Sequence, residues 1–227
     1  MQDRYVGGVG DFGKLALLRH LMDGRRLAVC WYLTRGDGEV DNQGRHFEYL
    51  NRPEEFRHFA PEVFDQLAAI VGAPFRIADA ITAVQMSGLL GTATFHRNQV
   101  PRHTPLRRIW ADELVSAVQG ADLIFLDPDY GIQGARLTAR HAALSEIAAL
   151  RRQDRVLVVC HHQSGRRAEP RYLADRMRSV GCGRVEVVRL RLVLSRFYVV
   201  SDHDERISDR IAAFARKWGN RAATYRF

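Results

Sequence analysis

The residues of this chain that are best suited to chemistry stand together as Asp127, Pro128, Asp129 and Tyr130. They follow a short apolar run, 122–126, which is typical of a strand buried on both faces of a parallel sheet. Because proline cannot continue a central strand, we expect pairing to stop at Asp127. Its carboxylate would then reach the carboxyl edge of the sheet, where open α/β folds bind ligands. A plain turn is the alternative interpretation.

The composition favours one globular domain over 1–227, with an excursion from the sheet at about 39–104. The chain has 227 residues, of which 46% are hydrophobic and 26% charged. No apolar run reaches the ~18 residues that a membrane-spanning helix needs, and the start does not resemble a signal peptide. The three cysteines lie far apart, which argues against a disulfide framework or a Cys-rich zinc site. We therefore expect a cytoplasmic protein without a membrane partner.

The positive charge is concentrated in the second part of the chain. Residues 151–227 hold 18 Lys and Arg against 8 Asp and Glu, whereas residues 1–150 hold 16 against 18, and the whole chain has a net charge of +8. A basic half indicates a polyanionic partner, and arginine suits phosphate through its planar fork. We expect a nucleic acid, bound by a rim of Arg166, Arg167, Arg189, Arg191 and Arg196.

The order of apolar runs and helical patterns predicts an α/β fold, with a mostly parallel central sheet, helices on both faces and a C-terminal antiparallel hairpin. The expected parallel strands are 27–33, 106–110, 122–127 and 155–160, and the expected hairpin pairs 184–193 with 197–201. The unit 108–127 reads as strand, helix and strand, which would bring Asp112 to the edge that carries Asp127. A helix is expected over 137–152.

This pattern resembles the class I, Rossmann-like fold of S-adenosylmethionine-dependent methyltransferases, and 127–130 resembles the Asp/Asn-Pro-Pro-Tyr motif of amino methyltransferases. The bacterial 23S rRNA adenine-N6 methyltransferase family opens with a Tyr, a Gly-Asn and a Lys-bearing helix. Here Tyr5, Gly10-Asp11 and Lys14 stand in that order. The chain departs from the motif at Asp129, and its opening is also similar to uncharacterised bacterial and phage proteins.

The resemblance implies methyl transfer from S-adenosylmethionine to an exocyclic amine of a nucleic-acid base. Asp127 and the Pro128 carbonyl would accept hydrogen bonds from the amine, beside Asp129, and Tyr130 would stack on the base. The residues implied for the cofactor are Lys14, Gly36, Asp37, Gly38 and Asp112. Those expected to contact the substrate are Tyr5, His161, His162, Arg166, Arg167 and Arg196.

Two other functions remain open from the sequence. Asp127, Asp129 and one of His161 and His162 are suited to hold Mg²⁺ or Mn²⁺, as in a metal-dependent nuclease or phosphohydrolase. A non-catalytic nucleic-acid-binding protein on a degenerate methyltransferase scaffold is the third possibility. If the strand at 197–201 is antiparallel, Asp202 and His203 leave the sheet at the edge opposite Asp127, and the turn at 194–196, which contains Arg196, lies near Asp127.

Overall fold

A computed structural model describes residues 6–34, 46–73, 80–162, 169–192 and 195–227. Seven strands of the described chain form one sheet and two short strands form another. The seven are β1 (Leu27–Cys30), β2 (Thr94–His96), β3 (Leu123–Leu126), β6 (Val156–His162), β7 (Val185–Arg191), β8 (Ser195–Ser201) and β9 (Ala222–Arg226). The short pair consists of β4 (Gly131–Ile132) and β5 (His141–Ala142).

The large sheet has the order β2-β1-β3-β6-β8-β7-β9. The pairs β1–β2, β1–β3 and β3–β6 are parallel, whereas β8 runs antiparallel to both of its neighbours and β9 runs antiparallel to β7. Five of the seven strands therefore point the same way. The mostly parallel sheet and the antiparallel β7–β8 hairpin confirm these parts of the sequence prediction.

Helices cover both faces of the sheet, as predicted. They are α1 (Val9–Met22), α2 (Pro53–Phe56), α3 (Pro61–Gly72), α4 (Ala80–Met86), α5 (Thr104–Ala117), α6 (Leu144–Leu150), α7 (Pro170–Arg178) and α8 (Glu205–Trp218), with 3₁₀ turns at Glu48–Asn51, Arg57–Phe59 and Gly219–Arg221. Alternate residues of β1 face opposite cores: Val29 belongs to the core that includes α1, α3, α4 and α8, and Ala28 to the core that includes α5, α6 and α7.

The predicted strand at 106–110 is wrong, because these residues belong to helix α5. Pro105 occupies the first turn of α5, and the buried Arg107, Trp110 and Leu114 follow helical spacing. The apolar Leu106 and Ile109 that suggested a strand are more than half exposed. Asp112 consequently lies exposed within α5 and does not follow a strand beside Asp127.

One further expectation was wrong, and one strand was not predicted. The helix predicted over 137–152 is limited to α6, because His141–Ala142 form β5, which pairs with β4. The basic and aromatic end of the chain, at 221–227, forms β9, an edge strand that was not predicted. Three of its five residues are half-buried and two are exposed, so it lacks the buried apolar run of a central strand.

The strand order reverses between β1 and β3, since β2 adds to one side of β1 and β3 to the other. In open α/β sheets, ligands bind at such a switch point, at the carboxyl ends of the strands. Residues 31–34 follow β1 there, and Asp127 follows β3, where its amide donates to the Cys30 carbonyl over 2.9 Å. No helix in the described part of the chain is both long and apolar enough to cross a membrane.

Candidate functional site

Asp127 is held at the end of β3 by a buried lysine. Lys14 Nζ of α1 lies 2.8 Å from Asp127 Oδ2 and 2.7 Å from Oδ1 of Asp11, one helical turn earlier. All three residues are almost completely buried. Within the described residues, no hydrogen bond reaches Asp127 Oδ1. The lysine thus fixes one carboxylate oxygen, and the described residues offer no hydrogen-bond donor to the other.

The electrostatics of this cluster keep Lys14 charged. Burial by itself lowers the pKa of Lys14, but the carboxylates of Asp11 and Asp127 outweigh it and raise the pKa above the ordinary value. Arg196 of β8 adds a second positive charge: its guanidinium packs so closely on Gly10 that a Cβ at that position would collide with it. Arg196 therefore lies near Asp127, as expected from the antiparallel direction of β8.

Asp129 and Tyr130 lead from this cluster towards the surface. Thr34 Oγ1, after β1, donates to Asp129 Oδ2 over 2.9 Å, so that the ends of β1 and β3 are joined across the switch point. Tyr130 is 43% exposed. Thr34 and Tyr130 both line a cleft of about 920 Å³, within the range typical of ligand pockets.

The two histidines at the end of β6 are neutral at pH 7. Burial, with a smaller contribution from His141, lowers the pKa of His161 to about 4. Burial, followed by Arg196 and Lys14, holds the pKa of His162 well below its usual range. His161 Nδ1 accepts the amide proton of Ile132 over 3.1 Å, which fixes its ring against β4. His161 therefore has at least a structural role.

A second buried ion pair stabilises the cleft wall. Arg107 of α5 binds Glu146 with two hydrogen bonds, of 2.7 and 3.1 Å, and also donates to the carbonyls of Thr138 and His141. The Tyr32 hydroxyl donates to Glu146 Oε2 over 2.9 Å. Tyr32 has φ = 47°, a left-handed conformation that is strained for an aromatic residue. This network links α5, α6 and the segment after β1.

The structure brings together most of the described residues that were predicted for the site. Around the cluster and the cleft lie Lys14, Asp127, Pro128, Asp129, Tyr130, His161, His162 and Arg196. Tyr5, Gly36, Asp37, Gly38, Arg166 and Arg167 lie outside the described residues. Of the expected basic rim, Arg189 stacks over the Phe197 ring at 5.5 Å and Arg191 is exposed. Asp112 is not at the site.

Asp202 and His203 lie at the opposite edge of the sheet, as expected for an antiparallel β8. Asp202 pairs with Arg151 at 3.1 Å, and His203 Nε2 lies 3.2 Å from Glu186 Oε1. Ser208, which donates to the same Glu186 oxygen, is 1% exposed. This Ser-His-Glu group is closed to substrates and has a structural role.

Sequence reasoning missed Asp11, the Arg107–Glu146 pair and the arginines of the cleft. The signal for Asp11 was present, since it stands one turn before Lys14 on a predicted helix. The cleft arginines gave no such signal because they come from separate segments, at 102 and at 136–140.

Lys14 and Asp112 are the described residues that were predicted to contact S-adenosylmethionine. Asp112 is exposed on α5, and the Lys14 ammonium already lies between two carboxylates. For a metal ion, the described residues contain no group of three or more His, Cys, Asp or Glu side chains in a suitable arrangement.

The chain matches no protein-family model and has no significant match to a curated protein.

Proposed function

We propose that this chain transfers a methyl group from S-adenosylmethionine to an exocyclic amine, and that the amine belongs to a nucleic-acid base. The observation that carries the proposal is the position of Asp127. It follows a central strand at the switch point of the sheet, with Oδ2 held by Lys14 and no described partner on Oδ1. The C-terminal hairpin with its antiparallel strand supports the finer assignment to a Rossmann-like methyltransferase fold.

The proposed chemistry depends on positioning. An exocyclic amine is a weak nucleophile because its lone pair is delocalised into the ring, and hydrogen bonds from the amine to acceptors counteract this. Asp127 Oδ1 and the Pro128 carbonyl would accept these bonds. Lys14 would keep the carboxylate from rotating, since it holds the other oxygen. Correct placement of a nucleophile contributes a large part of many enzymatic rate enhancements.

Asp129, which departs from the motif, has a role that fits this proposal. Its Oδ2 is bound by Thr34 and so is directed to the end of β1. Tyr130, next in the chain, presents its exposed ring to the cleft, where a base taken out of a helix could stack. The turn would thus place an acceptor and a stacking surface within four residues.

The metal-dependent alternative has less support from these contacts. A metal ion on Asp127 would have to compete with the Lys14 ammonium, and His161 already uses Nδ1 to accept the Ile132 amide. The non-catalytic alternative is favoured by one observation: Lys14 and Asp112 do not assemble into a cofactor site. A nucleic-acid-binding protein that has lost catalysis is therefore the second candidate.

Calorimetric titration with S-adenosylmethionine and, separately, with Mn²⁺ tests the proposal, together with transfer of a labelled methyl group to RNA and DNA. We expect binding of S-adenosylmethionine by the wild type and by Asp127→Asn, and transfer reduced by about 10²-fold or more in the variant. Asp202→Asn should retain transfer. Heat of binding from Mn²⁺ but not from S-adenosylmethionine would favour a metal-dependent enzyme. Binding of nucleic acid with no heat of binding from either titrant would favour the non-catalytic protein.

A further inference from the structure

The cleft beside Tyr130 combines positive charge with exposed apolar surface. Arg102, Arg136 and Arg140 line it, and no Asp or Glu is found among its lining residues in the described chain. Leu106, Tyr130 and Leu137 also line it, and they are 55%, 43% and 40% exposed. Few large apolar side chains among the described residues are 40% or more exposed, and half of these line the cleft. Such clustering marks a binding surface.

The cleft is built on rigid supports. Arg140 Nη1 donates to the Tyr130 hydroxyl over 2.7 Å, and its guanidinium lies 5.2 Å from the ring centroid. The segment that carries Arg136 and Arg140 is anchored by Arg107, through the Thr138 and His141 carbonyls. The opposite wall contains the start of α5, whose helix dipole adds a further positive contribution. The Arg140 guanidinium and the Tyr130 ring are thus held in a defined arrangement, on a segment whose backbone is anchored.

We propose that this cleft binds a nucleotide unit, with the base against the Tyr130, Leu106 and Leu137 surface and the phosphate on Arg102, Arg136 and Arg140. Arginine recognises phosphate through paired hydrogen bonds, and aromatic rings stack on bases of any sequence. An acidic peptide would use the arginines but would leave the ring and the two leucines without a matching partner. A nucleotide satisfies both parts of the lining.

This inference deepens the proposed function, because it adds a phosphate subsite to the acceptor side, but its test measures binding alone. A chain that binds nucleotides and transfers no methyl group would overturn the proposed function and leave this inference standing. A chain that transfers methyl groups but gains no affinity from a phosphate on these arginines would do the reverse.

The experiment compares three probes on the intact protein: adenosine, adenosine 5′-monophosphate and a short fluorescein-labelled single-stranded oligonucleotide. Calorimetry follows the first two and fluorescence polarisation the third. We expect the monophosphate to bind at least tenfold more tightly than adenosine. If the oligonucleotide binds much more tightly than the monophosphate, the nucleotide unit comes from a nucleic acid. If the two bind with equal affinity, the ligand is a free nucleotide.

The variants are Arg136→Gln and Tyr130→Ala, with Arg216→Gln as the matched control. Arg216 is exposed on α8, which packs on the other face of the sheet, and its substitution removes the same charge. Each cleft variant should weaken binding about tenfold. Arg136→Gln should also reduce the salt dependence of oligonucleotide binding by about 0.7 in the log–log slope.

Three results would overturn the inference: equal binding of adenosine and its monophosphate, equal effects of Arg136→Gln and Arg216→Gln, or no binding of any probe at low salt. Circular dichroism establishes that each variant is folded. If Tyr130→Ala is not, Tyr130→Leu, which keeps apolar bulk and removes the ring, should still lose several-fold in affinity.

Discussion

Arg107–Glu146 and Lys14–Asp127 are two ion pairs buried to a similar extent, but they bind in different ways. Arg107 meets Glu146 through its planar fork and uses further donors on two carbonyls. Lys14 places one ammonium between two carboxylates. The arginine pair is a structural part of the cleft wall, because both oxygens of Glu146 are bound. The lysine pair leaves Asp127 Oδ1 without a described partner. Burial alone therefore does not distinguish a structural ion pair from a candidate active-site pair, whereas the remaining acceptor capacity does.

The largest effect should come from breaking the arginine pair. We expect Arg107→Ala to lower the free energy of unfolding by about 3–5 kcal/mol, because Glu146 then remains buried without its cation. Denaturant unfolding measures the change. Arg57→Ala, which removes an exposed partner of Asp65, is the control and should change stability little. A small effect of Arg107→Ala would show that the two buried pairs do not differ as described.

Lys14→Met should cost less stability and more activity. We expect a loss of about 1.5–3 kcal/mol, because Arg196 remains near the two carboxylates and offsets part of their repulsion. Methyl transfer should fall by about 10²-fold, since Asp127 loses the contact that orients it. Unfolding and single-turnover transfer, measured on the same preparation, separate the two effects. Full activity in a folded Lys14→Met protein would contradict the role given to the lysine.

The histidines predict a pH effect of intermediate size. Folding lowers the pKa of His161 from its ordinary value of about 6.5 to about 4. Between these two pH values the unfolded chain binds a proton at His161, whereas the folded chain does not. Stability should therefore decrease as the pH falls through this window. His161→Asn, whose side-chain oxygen can still accept the Ile132 amide, should weaken the pH dependence of urea unfolding.

His58→Asn, which makes the same substitution at an exposed position, is the control variant for this measurement. An unchanged pH dependence in His161→Asn would mean that folding does not lower the pKa of His161, which contradicts the prediction.

The smallest effect is expected at Asp112. Asp112→Asn should change neither the free energy of unfolding nor the binding of S-adenosylmethionine, because the side chain is exposed on α5. Thermal unfolding and calorimetry test this. A loss of cofactor binding would restore the role that the resemblance gave to Asp112 and would move the cofactor site to this helix.

The sequence predicts those parts of the fold that depend on local pattern. The apolar run before Asp127 identified β3, and the short connection before Arg196 identified the hairpin and its direction. Helix α5 was misjudged because Leu106 and Ile109 are apolar but exposed, which a local pattern cannot show. Strand β9 was missed because an edge strand needs no apolar run.

The candidate site shows the same division. Strand direction predicted that Arg196 lies near Asp127, whereas Lys14 was expected at the cofactor and its contact with Asp127 was not predicted. The arginines of the cleft were not predicted, because Arg102 and Arg136 are separated in sequence and meet only through the fold. The charge asymmetry favoured the second half of the chain, yet these arginines lie in the first 150 residues, where an overall balance hides a local excess.

The strained Tyr32 has a consequence for how this sequence can vary. Its hydroxyl, the Arg107 guanidinium and the Ala143 amide all bind the carboxylate of Glu146. A single substitution at Glu146 would therefore release three segments together, and no one second substitution would restore all of them. Thr34, which binds Asp129, follows Tyr32 by only two residues. We expect these positions to tolerate replacement only as a group, so that the wall of the cleft and the acidic turn would evolve as one unit.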